Sequence, residues 1–314
     1  MENKTRIVIA IATYNRPKGL EAVLDGIVEQ DVPDHLALRV VIADNSEDGN
    51  ARSYVEERAS TYRWPLIYFH EPERGISYPR NRGLDNALEQ GDDFIAFTDD
   101  DVILDKNWMR ELADVAQETG ADAVIGAVEA KFHHPPPQWI ADGGYVEVVA
   151  FPDRKPISYG HTTNVLVKMD CIRKLNLRFD PFFALTGGED TAFFKAIREH
   201  GGLTVFARKA VVYECIGPER MKLSWWLKRW YRTGNTEGLL ETRESSGKER
   251  AQMKVLSRGI YRSLLGAAGS LAFLPTRLVG RTDTFDFLRI MCRGAGFVTA
   301  VFGMTYEEYR DHDR

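Results

Sequence analysis

The first hundred residues alternate between short apolar runs of β type and amphipathic stretches, and this alternation limits the possible folds more than any other feature of the chain. Strands are predicted over residues 6–12, 38–43, 66–69 and 94–97, with helices over residues 17–30, 49–62 and 78–90 between them. Near-continuous apolar strands separated by helices mark an α/β fold: a mainly parallel sheet, Rossmann-like, with helices on both faces and right-handed crossovers. Further along, residues 123–131 and 160–168 read as strands, and residues 107–118, 191–200 and 221–244 as helices.

Ligands of open α/β sheets bind outside the carboxyl ends of the strands. Here those ends are polar. The first runs into Thr13-Tyr14-Asn15-Arg16, the second into Asp44-Asn45-Ser46 and the fourth into Thr98-Asp99-Asp100-Asp101. Such residues also form turns and helix caps, but that reading leaves three adjacent carboxylates unexplained, since they repel one another unless a cation or donors hold them. All-oxygen ligands suit Mg²⁺ or Mn²⁺, which share their coordination with phosphate oxygens. A metal there would neutralise a departing pyrophosphate.

Other phosphate chemistries fit less well. No GxxxxGK[ST] loop is present, which excludes a P-loop NTPase. No GxGxxG follows the first predicted strand, which argues against a dinucleotide dehydrogenase. Phosphatases with an Asp nucleophile carry a DxDx[TV] pattern after their first strand, whereas this triplet follows the fourth and has Ile103 at the last position.

Charge is unevenly distributed. Residues 1–200 carry a net charge of −12 and residues 201–314 a net of +7. The acidic part argues against nucleic-acid binding, which needs a basic footprint; the basic tail is the part that could meet an anionic membrane surface. Three scattered cysteines, Cys171, Cys215 and Cys292, fit a reducing compartment better than a disulfide framework. The six-residue apolar run after Arg6 is too short for a secretory signal. The expected location is cytoplasmic, either free or peripheral on the inner face of the cell membrane.

In order along the chain, Thr13-Tyr14-Asn15-Arg16-Pro17, Asp44-Asn45, Pro79-Arg80-Asn81-Arg82-Gly83, Thr98-Asp99-Asp100-Asp101 and Gly188-Glu189-Asp190 resemble the motifs of family 2 glycosyltransferases. More narrowly they resemble the non-processive bacterial enzymes that build exopolysaccharide repeat units. The resemblance spans residues 5–235 and implies a GT-A fold, a nucleotide-diphosphate sugar donor with UDP-sugars foremost, a Mn²⁺ or Mg²⁺ ion, and inversion at the anomeric carbon. It implies that Thr13 and Tyr14 hold the nucleotide base and that Asp44 accepts from its ring N–H. Arg16, Arg80 and Asp100 would lie beside the nucleotide. Asp99 would sit near the ribose and share the metal with Asp101, and Asp190 would be the general base. An inverting transfer needs one carboxylate to take the acceptor hydroxyl's proton while other groups stabilise the leaving diphosphate.

Several features are ambiguous. Thr186-x-x-Glu189 has the spacing of a capping box, which would give Glu189 to the backbone and leave Asp190 for chemistry. Trp226-Leu227-Lys228-Arg229-Trp230 resembles the QxxRW motif of processive members with Trp in place of Gln, so Arg229 and Arg232 are candidate diphosphate contacts while Trp225, Trp226 and Trp230 read as core. His133 and His134, followed by three prolines, read as a surface loop. Residues 263–276 and 294–306 are uncharged stretches of 14 and 13 residues, short of the roughly 18–20 needed to span a bilayer. They suit either packed helices or helices lying in the membrane interface.

The expected organisation is a catalytic domain over residues 1–235 and a basic helical extension over residues 236–314. The expected reaction moves a hexose to a hydroxyl of a saccharide, free or lipid-linked. Two other readings share the architecture: a sugar nucleotidyltransferase, whose GxGxRxxP stretch is missing here, and a nucleotide-sugar binding protein without catalysis, which would have no need of a base at Asp190.

Overall fold

The computed structural model describes residues 4–146, 151–244, 247, 249–275 and 282–309. In chain order these form β1 (Thr5–Thr13), α1 (Pro17–Val28), β2 (Leu36–Asp44), α2 (Arg52–Ala59), β3 (Leu66–His70), α3 (Ser77–Gln90), β4 (Phe94–Asp99), β5 (Val102–Leu104) and α4 (Trp108–Thr119). There follow β6 (Ala123–Phe132), α5 (Gln138–Gly143), β7 (Asn164–Lys168), α6 (Met169–Leu175), α7 (Glu189–Glu199) and β8 (Thr204–Ile216). The chain closes with α8 (Leu223–Glu244), α9 (Glu249–Phe273) and α10 (Asp283–Val301).

The described strands make one sheet in the order β3-β2-β1-β4-β7-β6-β8-β5. The β-α-β part of the sequence supplies the parallel half, with β1 parallel to β2 and β4, and β2 parallel to β3. Beyond β4 the pairing reverses: β7 runs antiparallel to β4 and β6, and β5 antiparallel to β8. Two apolar clusters cover the faces. One gathers Leu20, Leu24 and Ile27 of α1 with Trp108 and Leu112 of α4; the other gathers Leu84 of α3 with Ile172 of α6 and Phe193 and Ile197 of α7. Helix α1 shows why the sequence folds this way: Pro17 presets its first turn, and Leu20, Val23, Leu24 and Ile27 fall on one buried stripe.

Asn164 ties the antiparallel half together. Wholly buried, it accepts from Trp108 Nε1 at 2.7 Å and donates to the carbonyls of Ala127 at 2.7 Å and Ala210 at 2.8 Å. One side chain thus satisfies groups from α4, β6 and β8. Gly126 beside it has no room for a Cβ, which would lie 2.3 Å from the Asn164 amide.

By its internal contacts the chain divides into two compact units. The first comprises residues 1–131, 148–185 and 189–215; the second comprises residues 132–147, 186–188 and 216–314. The division expected after residue 235 falls inside α8, because the Trp-rich helix continues unbroken. In the second unit Trp226 and Trp230 are buried with Ile140 and Phe285, as core aromatics. His133 and His134 are exposed in their loop.

Helices α8, α9 and α10 meet through glycines. A Cβ at Gly234 would lie 2.0 Å from the Arg293 carbonyl oxygen, one at Gly266 would lie 2.3 Å from the Met291 nitrogen, and one at Gly296 would lie 2.2 Å from the Tyr231 carbonyl oxygen. The two uncharged stretches therefore lie mostly in packed helices, which end at Phe273 and Val301, with residue 276 outside the described residues. One face of α9 nevertheless stays open: Met253, Ile260, Tyr261, Leu264 and Leu271 are all exposed, and Val255, Gly259, Gly266 and Ser270 form the opposite, buried face. No described helix is long and apolar enough to cross a membrane.

Replacing Asn164 tests the knot in the antiparallel half. Asn164→Ala leaves an indole N–H and two carbonyls without that partner, and each orphaned buried group costs about 1–3 kcal/mol. A loss of about 3 kcal/mol or more is expected in urea unfolding, with the m-value unchanged; a loss within about 0.5 kcal/mol would contradict the account.

Candidate active site

Parallel register decides which polar residues meet. Thr13 pairs with Asp44 across β1 and β2, and Ala12 pairs with Asp99 across β1 and β4. Three strands therefore end level at one edge, and the loops that follow them share it.

The acidic triplet splits its carboxylates between protein and solvent. Asp100 points inward and accepts from the Thr13 hydroxyl at 2.7 Å and from Arg16 Nη1 at 3.2 Å. The side chains of Asp99 and Asp101 remain 33 % and 39 % exposed. Arg16 also pairs with Asp101, and Arg80 lies 3.5 Å from Asp99. Burial pushes the Asp100 carboxyl up to about 6, outweighing the pull of Arg16 and of the Thr13 hydroxyl. Thr13, expected at the nucleotide base, gives its hydroxyl to Asp100 and is itself buried. Tyr14 follows it half-buried, and Asn15 takes a left-handed turn with φ 54° and accepts from the Asn50 amide. Helix α1 can approach the triplet because residue 19 is glycine, whose added Cβ would stand 2.3 Å from the Asp100 carbonyl oxygen.

Asp44 organises the neighbouring loop. It is wholly buried and accepts from Ser46 N (2.9 Å), Ser46 Oγ (2.7 Å), Ala51 N (2.9 Å) and Tyr68 Oη (3.0 Å). Four donors fill a carboxylate's ordinary acceptor capacity, so an incoming ring N–H would have to displace one of them. Asn45 does comparable work in the other direction. Its amide donates to the carbonyls of Glu71 and Glu73 at 2.7 and 2.6 Å, and it accepts from Gly75 N at 3.0 Å. That fixes the segment leading into α3.

Arg80 on α3 is a brace. Buried against the Phe179 ring at 5.8 Å, its guanidinium pairs with Glu189 at the start of α7 as well as lying near Asp99. The capping-box expectation for Glu189 is thereby corrected: its carboxylate goes to Arg80, and the Thr186 hydroxyl donates to the Gly187 carbonyl at 3.1 Å. Asp190, next on α7, is half-buried and accepts from the Thr191 amide at 2.6 Å. An acidic first turn is also favoured by the helix dipole.

His161 was not anticipated from sequence. It lies near the start of the stretch 160–168 read as a strand, three residues before β7 begins. The residue is 9 % exposed, its Nδ1 has no hydrogen-bond partner among the described residues, and it lies within electrostatic reach of Asp190 and Asp99. Burial pushes its pKa down against the opposing pull of those carboxylates.

Arg229 and Arg232, expected at the diphosphate, lie on α8 in the second unit. There both pair with Glu308, Arg229 at 3.5 Å. Asp99 and Asp101 are the pair that could hold a divalent cation. No group of three His, Cys, Asp or Glu side chains suited to a metal occurs among the described residues. Two carboxylates would leave most of the shell to phosphate oxygens and water, which is the coordination Mg²⁺ prefers.

The profile of the family described as Glycosyl transferase family 2 matches residues 8–175, more than half of the chain. The chain belongs to glycosyl transferase family 2. This glycosyltransferase is 35 % identical over 305 residues to the succinoglycan biosynthesis protein ExoM of Rhizobium meliloti (strain 1021), covering 97 % of this chain and 96 % of that one. Its fold is similar to that of S. aureus TarS residues 1–349 in complex with UDP, with a TM-score of 0.54, 15 % identity and coverage of 98 % and 97 % of the two chains. A structure of GalNAc-T7 with UDP, GalNAc and Mn²⁺ matches with a TM-score of 0.54 and 13 % identity, over 76 % of this chain and 51 % of that one. The fold of this glycosyltransferase is therefore GT-A-like, as its motifs imply.

The raised carboxyl of Asp100 gives the enzyme a pH signature. A group whose folded pKa lies above its unfolded value contributes stability at low pH that is lost as pH rises through the folded value. Without added divalent cation, the wild-type melting temperature should fall between about pH 4 and about pH 6 relative to that of Asp100→Asn, which cannot ionise there. Parallel melting curves across that range would count against the assignment.

Proposed function

We propose that this glycosyltransferase moves a hexose from a UDP-sugar to a hydroxyl of a growing, lipid-linked saccharide, with inversion at the anomeric carbon, as a step of exopolysaccharide synthesis. The observation that carries the reading is the level ending of β1, β2 and β4, with the exposed Asp99 and Asp101 at that edge and Arg80 joining Asp99 to the first turn of α7. The UDP assignment is supported by the TarS complexes with UDP and UDP-GlcNAc. The polysaccharide assignment is supported by the likeness to a succinoglycan biosynthesis protein.

In this reading Asp190 takes the proton of the acceptor hydroxyl as its oxygen attacks the anomeric carbon. Asp99 and Asp101 hold Mn²⁺ or Mg²⁺, which when bound neutralises charge on the leaving diphosphate. Tyr14 lies beside the base. Thr13, Arg16 and Asp100 keep the triplet turn in shape, Asp44 and Asn45 shape the loops around the nucleotide, and Arg80 keeps α7 against the edge. The same arrangement disfavours a binding protein without catalysis, since Asp190 stands half-open at a helix start with no structural ion pair described for it.

Two substitutions separate these roles. Asp190→Asn should lower turnover by about 10²-fold or more, the usual scale of a general base, while UDP still binds. Asp101→Ala should abolish the Mn²⁺ dependence of UDP binding measured by calorimetry, with the melting temperature retained. Full turnover in the first variant, or an unchanged metal dependence in the second, would sink the corresponding assignment.

The lipid-linked acceptor is supported by α9. Its open face of Met253, Ile260, Tyr261, Leu264 and Leu271 is apolar, and Arg250 and Lys254 are exposed at its beginning. Residues 251–300 carry seven Lys and Arg against two Asp and Glu. Apolar side chains can enter the acyl boundary while cations meet anionic headgroups, at about 1 kcal/mol per charge. The full-length protein should sediment with phosphatidylglycerol vesicles and be partly released by high salt. Leu264→Glu with Leu271→Glu should abolish binding at an unchanged melting temperature. Absence of wild-type binding at low salt would rule the membrane out.

A further inference from the structure

A buried polar nitrogen without a partner costs about 1–3 kcal/mol, so each one invites the question of what fills its valence. Among the described residues His161 Nδ1 is such an atom, on a residue that is 9 % exposed. Two constraints fix its place. Asn164 of β7 pairs with Thr98 of β4 in antiparallel register, so the residues just before Asn164 run back past Asp99–Asp101. Gly160, immediately before the histidine, is pressed onto α7: a Cβ there would lie 2.2 Å from the Phe194 ring. The segment is therefore clamped between the strand that delivers Asp99 and the helix that begins with Glu189 and Asp190.

The surroundings select the partner. Asp190, Asp99 and Glu214 all bring negative charge to the imidazole, with Arg80 the opposing cation. A phosphate in direct contact with the ring would be repelled by Asp190 and Glu214, which hold no metal in this reading. A hydroxyl would not, and it can answer either tautomer, donating to a bare Nδ1 or accepting from a protonated one. On the reading given above, the transferred sugar lies between the diphosphate, on the Asp99 side, and the attacking oxygen, on the Asp190 side. We infer that His161 hydrogen-bonds a ring hydroxyl of the transferred sugar and so orients its anomeric carbon between Asp99 and Asp190. This assignment rests on the proposed transfer reaction and adds to it a residue that selects among donor sugars. A site built to bond a hydroxyl discriminates strongly against a donor that lacks it, because its own polar atom is then left unpaired.

The test compares wild type with His161→Ala and His161→Gln, the latter keeping a hydrogen-bonding group. Each is assayed for transfer with the preferred UDP-sugar and its monodeoxy analogues, and for inhibition by UDP alone. His161→Ala should lower kcat/KM by about tenfold, the scale of one buried hydrogen bond, while UDP inhibits as before and the melting temperature is kept or raised. His161→Gln should recover part of the loss. One monodeoxy donor should be poor for wild type yet no worse than the parent sugar for His161→Ala. The inference is overturned if UDP inhibition weakens as much as kcat/KM falls, or if every deoxy donor loses the same factor in both proteins. If His161→Ala does not fold, the deoxy series on His161→Phe, which keeps the ring's bulk without its nitrogens, decides: an unchanged pattern of penalties overturns it. A wild-type enzyme that transfers from no UDP-sugar overturns the underlying reaction, and the inference with it.

Discussion

The site depends on one carboxylate being held out of water. Asp100 follows the end of β4 in a position where burial opposes its charge, and the Thr13 hydroxyl and the Arg16 guanidinium are what keep it there. Because Asp100 turns in, its neighbours on either side turn out. Thr13 comes from β1 and Arg16 from the loop before α1, so the same contact joins two strand ends and sets the height of both. Gly19 serves this arrangement from a distance, since a larger residue would lift α1 off the triplet. A polar edge of this kind is a strained compromise between solvation and reach, which is typical where a fold gives up local stability for chemistry.

Much of this was legible in the residues themselves. The β-α-β rhythm announced the parallel half, and polar residues at three strand ends announced the edge, because both are local patterns with a period. What was missed is non-local. Glu189 has the spacing of a helix cap, and nothing near it in sequence reveals an arginine 109 residues earlier. Nor does anything near Asp44 in sequence reveal the donor it has in Tyr68. Strand β8 went unread because Arg208 and Lys209 interrupt its apolar run. His161 lies in a stretch read simply as a strand, and only its burial makes it conspicuous.

The helical region illustrates the opposite error. Glycine is a poor helix former, and the sequence from Gly259 to Gly303 holds enough of it to shorten the helices one would draw. In the structure α9 and α10 run longer than the uncharged stretches, because the glycines let backbones touch where side chains could not. Close packing on one side of α9 leaves its bulky residues to the other. The exposed apolar face and the glycine face are thus two results of one pattern.

The ion pair between Arg80 and Glu189 also has a bearing on how the enzyme is made. At about 5–20 residues per second, the 109 residues between them take on the order of ten seconds to synthesise. During that interval a nascent chain can carry Asp99, Asp100 and Asp101 but not the carboxylates of α7. Arg80 has Asp99 near it and awaits its second partner. The acidic start of α7 is synthesised only after β7, so a chain that ends before it cannot bring the two acidic groups together. Any translation stalled before residue 189 leaves a fragment able to offer half of the edge and none of what faces it.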